Sequence, residues 1–207
     1  MVLYTPPAFR EDRPEVLLRL MRESRLPLLI SNGVNGMPDV THLPLLTDGV
    51  RIVGHLARAN PHWKALREGA RAIAIFPGPD GYVSPSSYAS KAEHHRVVPT
   101  WNYEAVHAEG PVEIIEDAAR LHEIVSTLTD HHEKPRTERW AVGDAPADFI
   151  AGQLKGIVGV VLTIEVLIGK RKLSQNRPAA DRDGALADVG HNNAALAEAM
   201  RAAREGN

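Results

Sequence analysis

Two short apolar stretches, 40–46 and 50–56, lie on either side of the pair Asp48-Gly49. An Asp-Gly pair in this position is among the strongest local signals for a β-hairpin. Further stretches with the length and composition of strands are 28–31, 72–76, 82–83, 106–115 and 157–168. Six or seven strands joined mainly by tight turns favour an antiparallel sheet closed into a small barrel over a parallel βαβ array.

Helices are predicted where a capping residue precedes apolar residues at helical spacing. Asp12, Asn60 and Asp117 each stand in that position, and their side chains are well suited to accept from the free N–H groups of a first turn. The helices expected from these signals begin near residues 14, 61 and 118, another spans 146–154, and an alanine-rich tail is helical over about 183–205.

The 207 residues contain no internal repeat and no long linker, so a single domain over 1–207 is predicted. Within this domain, Gly78-Pro79-Asp80-Gly81 is predicted to be a turn, because glycine and proline dominate such segments. The segment 89–96 is predicted to be a loop of unassigned role.

Composition excludes several classes of protein. With 43% hydrophobic and 24% charged residues, the chain has the make-up of a soluble globular domain. It contains no cysteine, which excludes disulfides, thiolate catalysis and cysteine-ligated metal centres. The N-terminal residues lack a secretion signal, so a cytoplasmic location is expected. A net charge of −2 and a pI near 6.6 provide no bulk attraction to nucleic acid.

A first candidate site combines Thr41, Arg58 and Lys64. The two cations bracket the predicted helix after residue 61, where free N–H groups and the helix dipole favour an anion. With a hydroxyl added, the set suits a phosphate monoester. The alternative is a strand-to-helix junction with two solvated cations.

A second candidate is the cluster Trp101, Asn102 and Tyr103, in a chain that is only 5% aromatic. Such residues can stack on a planar heterocycle and hydrogen-bond its edge, or they can form core with satisfied polar tips. A third is the run 170–177, which holds four cations and no acid. This run suits a phosphate, a carboxylate or a nucleic-acid backbone, or it is a solvated strand end.

Several motifs of known chemistry are absent from the sequence. There is no G-x-G-x-x-G after a strand, no Walker loop and no G-x-S-x-G elbow. The histidine pairs do not have the spacing of metal ligands, so no metal site is predicted, and catalytic residues are not assigned. No helix-turn-helix is evident either, and a dinucleotide would have to bind outside a Rossmann frame.

Five segments in the same order resemble the PaiB family, described as FMN-binding negative transcriptional regulators. They are THLPL (41–45), GHLARANP (54–61), YVSPS (82–86), VPTWNY (98–103) and KLSQNR (172–177). The resemblance covers nearly the whole chain. It implies a split β-barrel of the pyridoxamine-phosphate-oxidase type, mainly β with peripheral helices, that acts as a homodimer with FMN at the subunit interface.

The resemblance also implies roles for individual residues. Thr41, His42 and Leu43 would line the flavin, and Arg58 and Lys64 would bind its phosphate. The partner subunit would contribute Trp101, Asn102, Tyr103, Lys172, Ser174 and Asn176.

The expected function is therefore FMN binding with a role in the regulation of transcription. One alternative is an FMN-dependent oxidoreductase acting on a small substrate, with His42 or Tyr103 as proton donor. Another is a haem-handling protein that uses His55 or His107 as iron ligand. Whether the protein is an enzyme is left open. The pI and the lack of a recognition helix argue against strong direct DNA binding, although two copies of 170–177 in a dimer would concentrate positive charge.

Overall fold

The computed structural model describes residues 3–33, 36–67 and 69–205. Seven α-helices lie in these residues: α1 Pro14–Glu23, α2 His62–Ala65, α3 Ala89–His94, α4 Ala118–Glu133, α5 Ala147–Leu154, α6 Ala179–Asn192 and α7 Ala194–Glu205. The nine strands found there are β1 Arg10–Glu11, β2 Leu28–Asn32, β3 Pro38–His42, β4 Leu46–Thr47, β5 Arg51–Ala57, β6 Arg71–Val83, β7 Thr100–Ile115, β8 Ile157–Thr163 and β9 Val166–Lys172.

The chain forms two compact units, each assembled from separate stretches of sequence. The first unit comprises 1–20, 77–106 and 168–207, and the second comprises 21–76 and 107–167. The long strands β6 and β7 contribute residues to both units. The expectation of a single domain stays a prediction.

The second unit is built on an antiparallel sheet with strand order β3-β2-β6-β7-β8-β5-β4. The hairpin β4–β5 forms as predicted: Leu46 pairs with Val53, and Gly49 adopts a φ of 97° in the turn, a conformation that glycine enters at little cost. Asp117 caps α4, accepting from the backbone N–H of Arg120 at 2.9 Å. Helix α4 then packs its apolar stripe over the sheet. The cluster buried there consists of Ile115, Leu121, Ile124, Leu128, Leu154 and Val161.

The first unit combines the antiparallel pair β1–β9 with the C-terminal helices. Arg10 pairs with Lys170 and Glu11 with Gly169. The alanine-rich tail is helical, as predicted, but its first helix begins at Ala179 rather than near residue 183. Small side chains let α6 and α7 pack closely, and the buried cluster they share contains Val83, Tyr88, Leu173, Ala185, Val189, Leu196, Ala197, Ala199, Met200 and Ala203.

The mainly antiparallel sheet with several helices agrees with the predicted fold class, while four local predictions were wrong. The supposed turn 78–81 lies inside β6, because Gly78 lets that strand approach another backbone: a Cβ there would be 2.8 Å from Glu104 Cβ. The supposed loop 89–96 contains α3. The stretch 40–46 divides into β3 and β4, and 157–168 divides between β8 and β9. Among the described residues, no helix is both long and apolar enough to span a membrane.

Candidate functional site

In the second unit, Thr41 belongs to a hydrogen-bonded network around the buried side chain of His62. The Nδ1 atom of His62 is 2.8 Å from Thr41 Oγ1, and its Nε2 atom is 3.0 Å from Ser31 Oγ. The amide of Asn60 donates to Thr41 Oγ1 at 3.0 Å. Burial lowers the pKa of His62, although the charge of Asp39 opposes this shift. His62 is therefore a neutral imidazole held between two hydroxyls.

Arg58 lies at the end of β5 and is partly committed to neighbouring groups. Its Nε and Nη2 atoms donate to the carbonyls of Lys155 and Ile157 at 3.0 and 3.2 Å. Its Nη1 atom contacts the carboxylate of Glu116 at 2.7 Å. These contacts fix the guanidinium in place, and they mean that any anion bound there shares Arg58 with Glu116.

Trp63 lies at the centre of a cationic cluster, which consists of Arg58, Lys64, Arg67 and the carboxylate of Glu116. The three cations lie 5.7, 5.8 and 4.5 Å from the indole ring, within range of cation–π attraction. Glu116 also pairs with Arg67 at 2.5 Å. Three cations face one carboxylate, so the cluster keeps an excess of positive charge.

This cationic cluster fits the phosphate of FMN, which carries about two negative charges near neutral pH. Helix α2 has only four residues, so its dipole contributes little, contrary to the sequence argument. The positive charge comes instead from side chains. The indole N–H of Trp63 donates to the carbonyl of Arg58 at 2.9 Å, which fixes the ring on which the cations stack.

The other two residues expected to line the flavin differ in exposure. His42 is exposed at the end of β3, whereas Leu43 is 4% exposed. A Cβ on Gly54 would lie 3.5 Å from Leu43 Cδ1, so Leu43 packs against β5. Leu43 therefore belongs to the buried apolar packing beside β5.

In the first unit, Trp101 is the exposed member of the aromatic cluster, with 51% of its surface accessible. It packs edge-on against Tyr82 with ring centroids 6.3 Å apart, and its indole N–H donates to Asp80 at 3.0 Å. An exposed indole held in a fixed orientation is suited to stack on a planar ring. Tyr103 is half-buried, and Lys170 Nζ lies 5.2 Å from its ring centroid.

Asn102 and Ser174, both predicted from the sequence, are in direct contact. The amide nitrogen of Asn102 donates to Ser174 Oγ at 2.9 Å, and both residues are buried. Ser174 has a φ of 66°, which is uncommon for a residue other than glycine and is concentrated at functional sites. The neighbouring Asn176 is exposed. Ser174 therefore marks a turn whose shape is maintained by a buried hydrogen bond.

Lys172 is half-buried beside the aromatic cluster. Its ammonium donates to Thr100 Oγ1 and to the carbonyl of Trp101, the latter at 2.6 Å. Burial, together with the charges of Lys170 and Arg177, lowers the pKa of Lys172. Lys172 thus ties the C-terminal motif to the segment that presents Trp101.

The basic run 170–177 is not the surface patch that its sequence indicated. Lys170 is 6% exposed and Arg171 is 4% exposed. Lys170 donates to the carbonyl of Tyr4 at 2.8 Å, and Arg171 pairs with Glu104 at 2.5 Å and Glu11 at 3.3 Å. Their burial depends on partners that are distant in sequence, which the spacing of the run alone did not reveal.

Three histidines, His42, His55 and His107, are the candidate ligands for iron or another metal. His42 pairs in register with Leu28 and His55 with Gly159, so the two do not face each other across a hairpin. Burial lowers the pKa of His55 and of His107, and His55 Nδ1 is buried without a hydrogen-bond partner in the part of the chain that the structure describes. Over those same residues, no group of three or more histidine, cysteine or acidic side chains could hold a metal ion.

Sequence reasoning missed the partners that hold the predicted side chains. Glu116 lies far along the chain from Arg58 and Arg67, the two arginines that it contacts, and nothing in its local sequence links it to them. Ser31 and His62 resemble an ordinary strand residue and a loop histidine. Only the pairing of β2 with β3, and the return of the chain through α2, bring them to Thr41.

Known proteins are similar to this chain over most of its length. The family described as "Putative FMN-binding domain" matches residues 3–166. The chain is 31% identical over 183 residues to "Protease synthase and sporulation protein PAI 2" of Bacillus subtilis (strain 168). The match covers 86% of this chain and 85% of that protein. An uncharacterized protein of Aspergillus fumigatus is 33% identical over 217 residues, covering 86% of this chain and 83% of that one.

A solved structure shows the same fold. The FAD and haem binding protein from Mycobacterium smegmatis superposes with a TM-score of 0.60 at 20% identity, covering 79% of this chain and 73% of that one. The expected fold class, a mainly antiparallel split barrel with helices, is confirmed, and FMN is confirmed as the cofactor of the matched family. The chain belongs to this family of FMN-binding domains, and PAI 2 of Bacillus subtilis is its homologue.

Proposed function

We propose that the cationic cluster around Trp63 binds the phosphate of FMN. The observation that carries this proposal is the excess of positive charge, in which three cations meet the single carboxylate of Glu116. Arg58 and Lys64 neutralise the phosphate, and the hydroxyl of Thr41 donates to the cofactor. When bound, FMN accepts and returns one or two electrons.

We further propose that the protein acts as a homodimer in the cytoplasm. Trp101, Tyr103, Lys172 and Asn176 contact the flavin ring bound to the other subunit. The buried pair Asn102 and Ser174 maintains the shape of the turn beside them. The exposed indole of Trp101 and the strained turn at Ser174 support this role. We propose that the protein regulates transcription, as do the regulators that its sequence resembles, and that it does so through the bound flavin. Lys170 and Arg171 are buried, whereas Lys172 and Arg177 are partly exposed, so the run 170–177 offers less exposed charge for direct DNA contact than its sequence indicates.

The proposal is tested by visible absorption of the purified protein titrated with FMN and then reduced with dithionite. Wild-type protein binds FMN and perturbs the flavin band. Arg58→Ala weakens the affinity about tenfold or more, since a hydrogen bond to a charged group contributes about 1.5–3 kcal/mol. Arg120→Ala is the matched control, because Arg120 is also exposed and paired with a carboxylate, that of Glu113. It retains the wild-type affinity.

A second variant tests the charge argument directly. Glu116→Gln removes the carboxylate that Arg58 and Arg67 share, and it tightens FMN binding. If the wild-type protein does not perturb the absorption band of added FMN, the proposal is refuted. Parallel titration with haemin separates that result from the haem-binding alternative.

A further inference from the structure

The network around His62 determines which hydrogen-bonding face Thr41 shows to a ligand. The backbone N–H of His62 can act only as a donor. The backbone N–H of His62 donates to Asn60 Oδ1 at 3.0 Å. This contact fixes the orientation of the Asn60 amide, so its Nδ2 atom must be the one that faces Thr41. Thr41 Oγ1 therefore accepts one hydrogen bond from Asn60.

The direction of the bond between Thr41 and His62 then has two solutions. If Nδ1 is unprotonated, the hydroxyl of Thr41 donates its proton to Nδ1. Only a lone pair of Thr41 Oγ1 then remains available to a ligand. If Nδ1 carries the proton, Thr41 accepts from both Asn60 and His62, and its own proton is free to point away from the network. The tautomer of His62 thus decides whether Thr41 is a donor or an acceptor towards a ligand.

Ser31 selects between the two tautomers. Ser31 is only 6% exposed. A buried hydroxyl proton without an acceptor costs free energy. The Nε2 atom of His62, 3.0 Å away, satisfies that proton only when Nε2 is unprotonated. Burial keeps the imidazole neutral against the opposing charge of Asp39. A neutral ring with an unprotonated Nε2 must carry its proton on Nδ1.

We propose that Ser31 and His62 together hold Thr41 as an outward-directed hydrogen-bond donor for an acceptor atom of FMN. Ser31 donates to His62, His62 donates to Thr41, and Thr41 donates to the cofactor. His62 and Ser31 are positioning residues, since they act through Thr41. The proposal rests on FMN binding at this site. Two accepted bonds fix the hydroxyl rotor in advance, so little freedom is lost when the ligand arrives.

The tautomer is measured first, on the protein without FMN. Long-range ¹H–¹⁵N correlation spectra of histidine-labelled protein should show a protonated Nδ1 and an unprotonated Nε2 for His62. Ser31→Ala removes the donor to Nε2, and the Nδ1–H form then loses its preference. A His62 protonated at Nε2 in the wild-type protein would overturn the proposal. Because no cofactor is present, this result does not depend on whether FMN binds.

Flavin affinity is measured next. Thr41→Val should weaken FMN binding about tenfold, Thr41→Ser should restore it, and Ser31→Ala should weaken it about fivefold. Ser126→Ala, at a partly exposed position of α4 where the hydroxyl lies 3.5 Å from His122 Nδ1, is the control with unchanged affinity. Riboflavin separates two acceptors: a loss confined to FMN places the contact at the phosphate, and an equal loss for riboflavin places it at the rest of the molecule.

The two levels of failure are distinguishable. If wild-type protein does not bind FMN, the proposed function fails, and the inference about the cofactor fails with it. If wild-type protein binds FMN while Thr41→Val binds equally well, only the present inference fails. Circular dichroism of each variant checks that it is folded. Recovery of FMN affinity in Thr41→Ser shows that the loss in Thr41→Val comes from the missing hydroxyl and not from misfolding.

Discussion

Arg171 is buried between two carboxylates, an arrangement whose energetics depend on geometry at the scale of single residues. Its side chain is 5% exposed, that of Glu104 is 1% and that of Glu11 is 6%. Removing such groups from water costs several kcal/mol for each ion, and mutual attraction offsets this cost only when the contacts are good. Burial also tends to raise the pKa of Glu11, but hydrogen bonds from Arg13 and Arg171 bring it down to about 2. Glu11 therefore remains charged in the folded protein.

Glu104→Gln tests how strongly the fold depends on this cluster. Loss of one partner leaves part of the charge of Arg171 uncompensated in a buried place, so the free energy of unfolding should fall by about 3 kcal/mol. Urea unfolding followed by circular dichroism measures the change. Glu113→Gln is the control, because Glu113 and Arg120 are 55% and 49% exposed and such pairs contribute about 0–1 kcal/mol. Equal losses in the two variants would contradict the argument.

At the scale of elements, local signals predicted local structure well. The Asp48-Gly49 hairpin and the Asp117 cap each depend on a few neighbouring residues, and both were predicted. The strand through 78–81 was not predicted, because its conformation follows from a neighbour that is distant in sequence, Glu104. The site divides in the same way. Arg58 lies within a motif, whereas Glu116, its ion-pair partner, is supplied by the far end of β7 and the turn after it.

Two helical glycines provide a matched test of element packing. A Cβ on Gly184 in α6 would lie 1.8 Å from the carbonyl oxygen of Ser87, whereas a Cβ on Gly152 in α5 would meet nothing within 4 Å. Gly184→Ala should therefore destabilise the protein by about 1–3 kcal/mol through overpacking. Gly152→Ala should stabilise it by about 0.5–1 kcal/mol, because alanine loses less backbone entropy in a helix. Urea denaturation measures both, and changes of the same sign would contradict the assigned packing.

At the scale of the whole molecule, several histidines whose pKa is lowered by burial make folding sensitive to acid. Burial lowers the pKa of His55, His62, His107 and His131 in the folded protein, whereas the unfolded chain keeps values near 6.5. Below about pH 6.5 the unfolded chain therefore binds more protons than the folded protein does. Linkage then requires the free energy of unfolding to fall as the pH falls, since protons stabilise the state that binds more of them.

We expect this loss to begin near pH 6.5, before any carboxylate contributes. The carboxylates with lowered pKa values add a second loss below about pH 4.5, which for Glu11 continues towards its pKa of about 2. Urea unfolding at intervals between about pH 7.5 and about pH 5 isolates the histidine contribution. His62→Gln should flatten the slope in this interval, because it removes one of the four histidines whose pKa is lowered. A wild-type stability that stays constant down to pH 5 would show that these imidazoles titrate alike in both states, and His62 would then lose its assignment as a neutral ring.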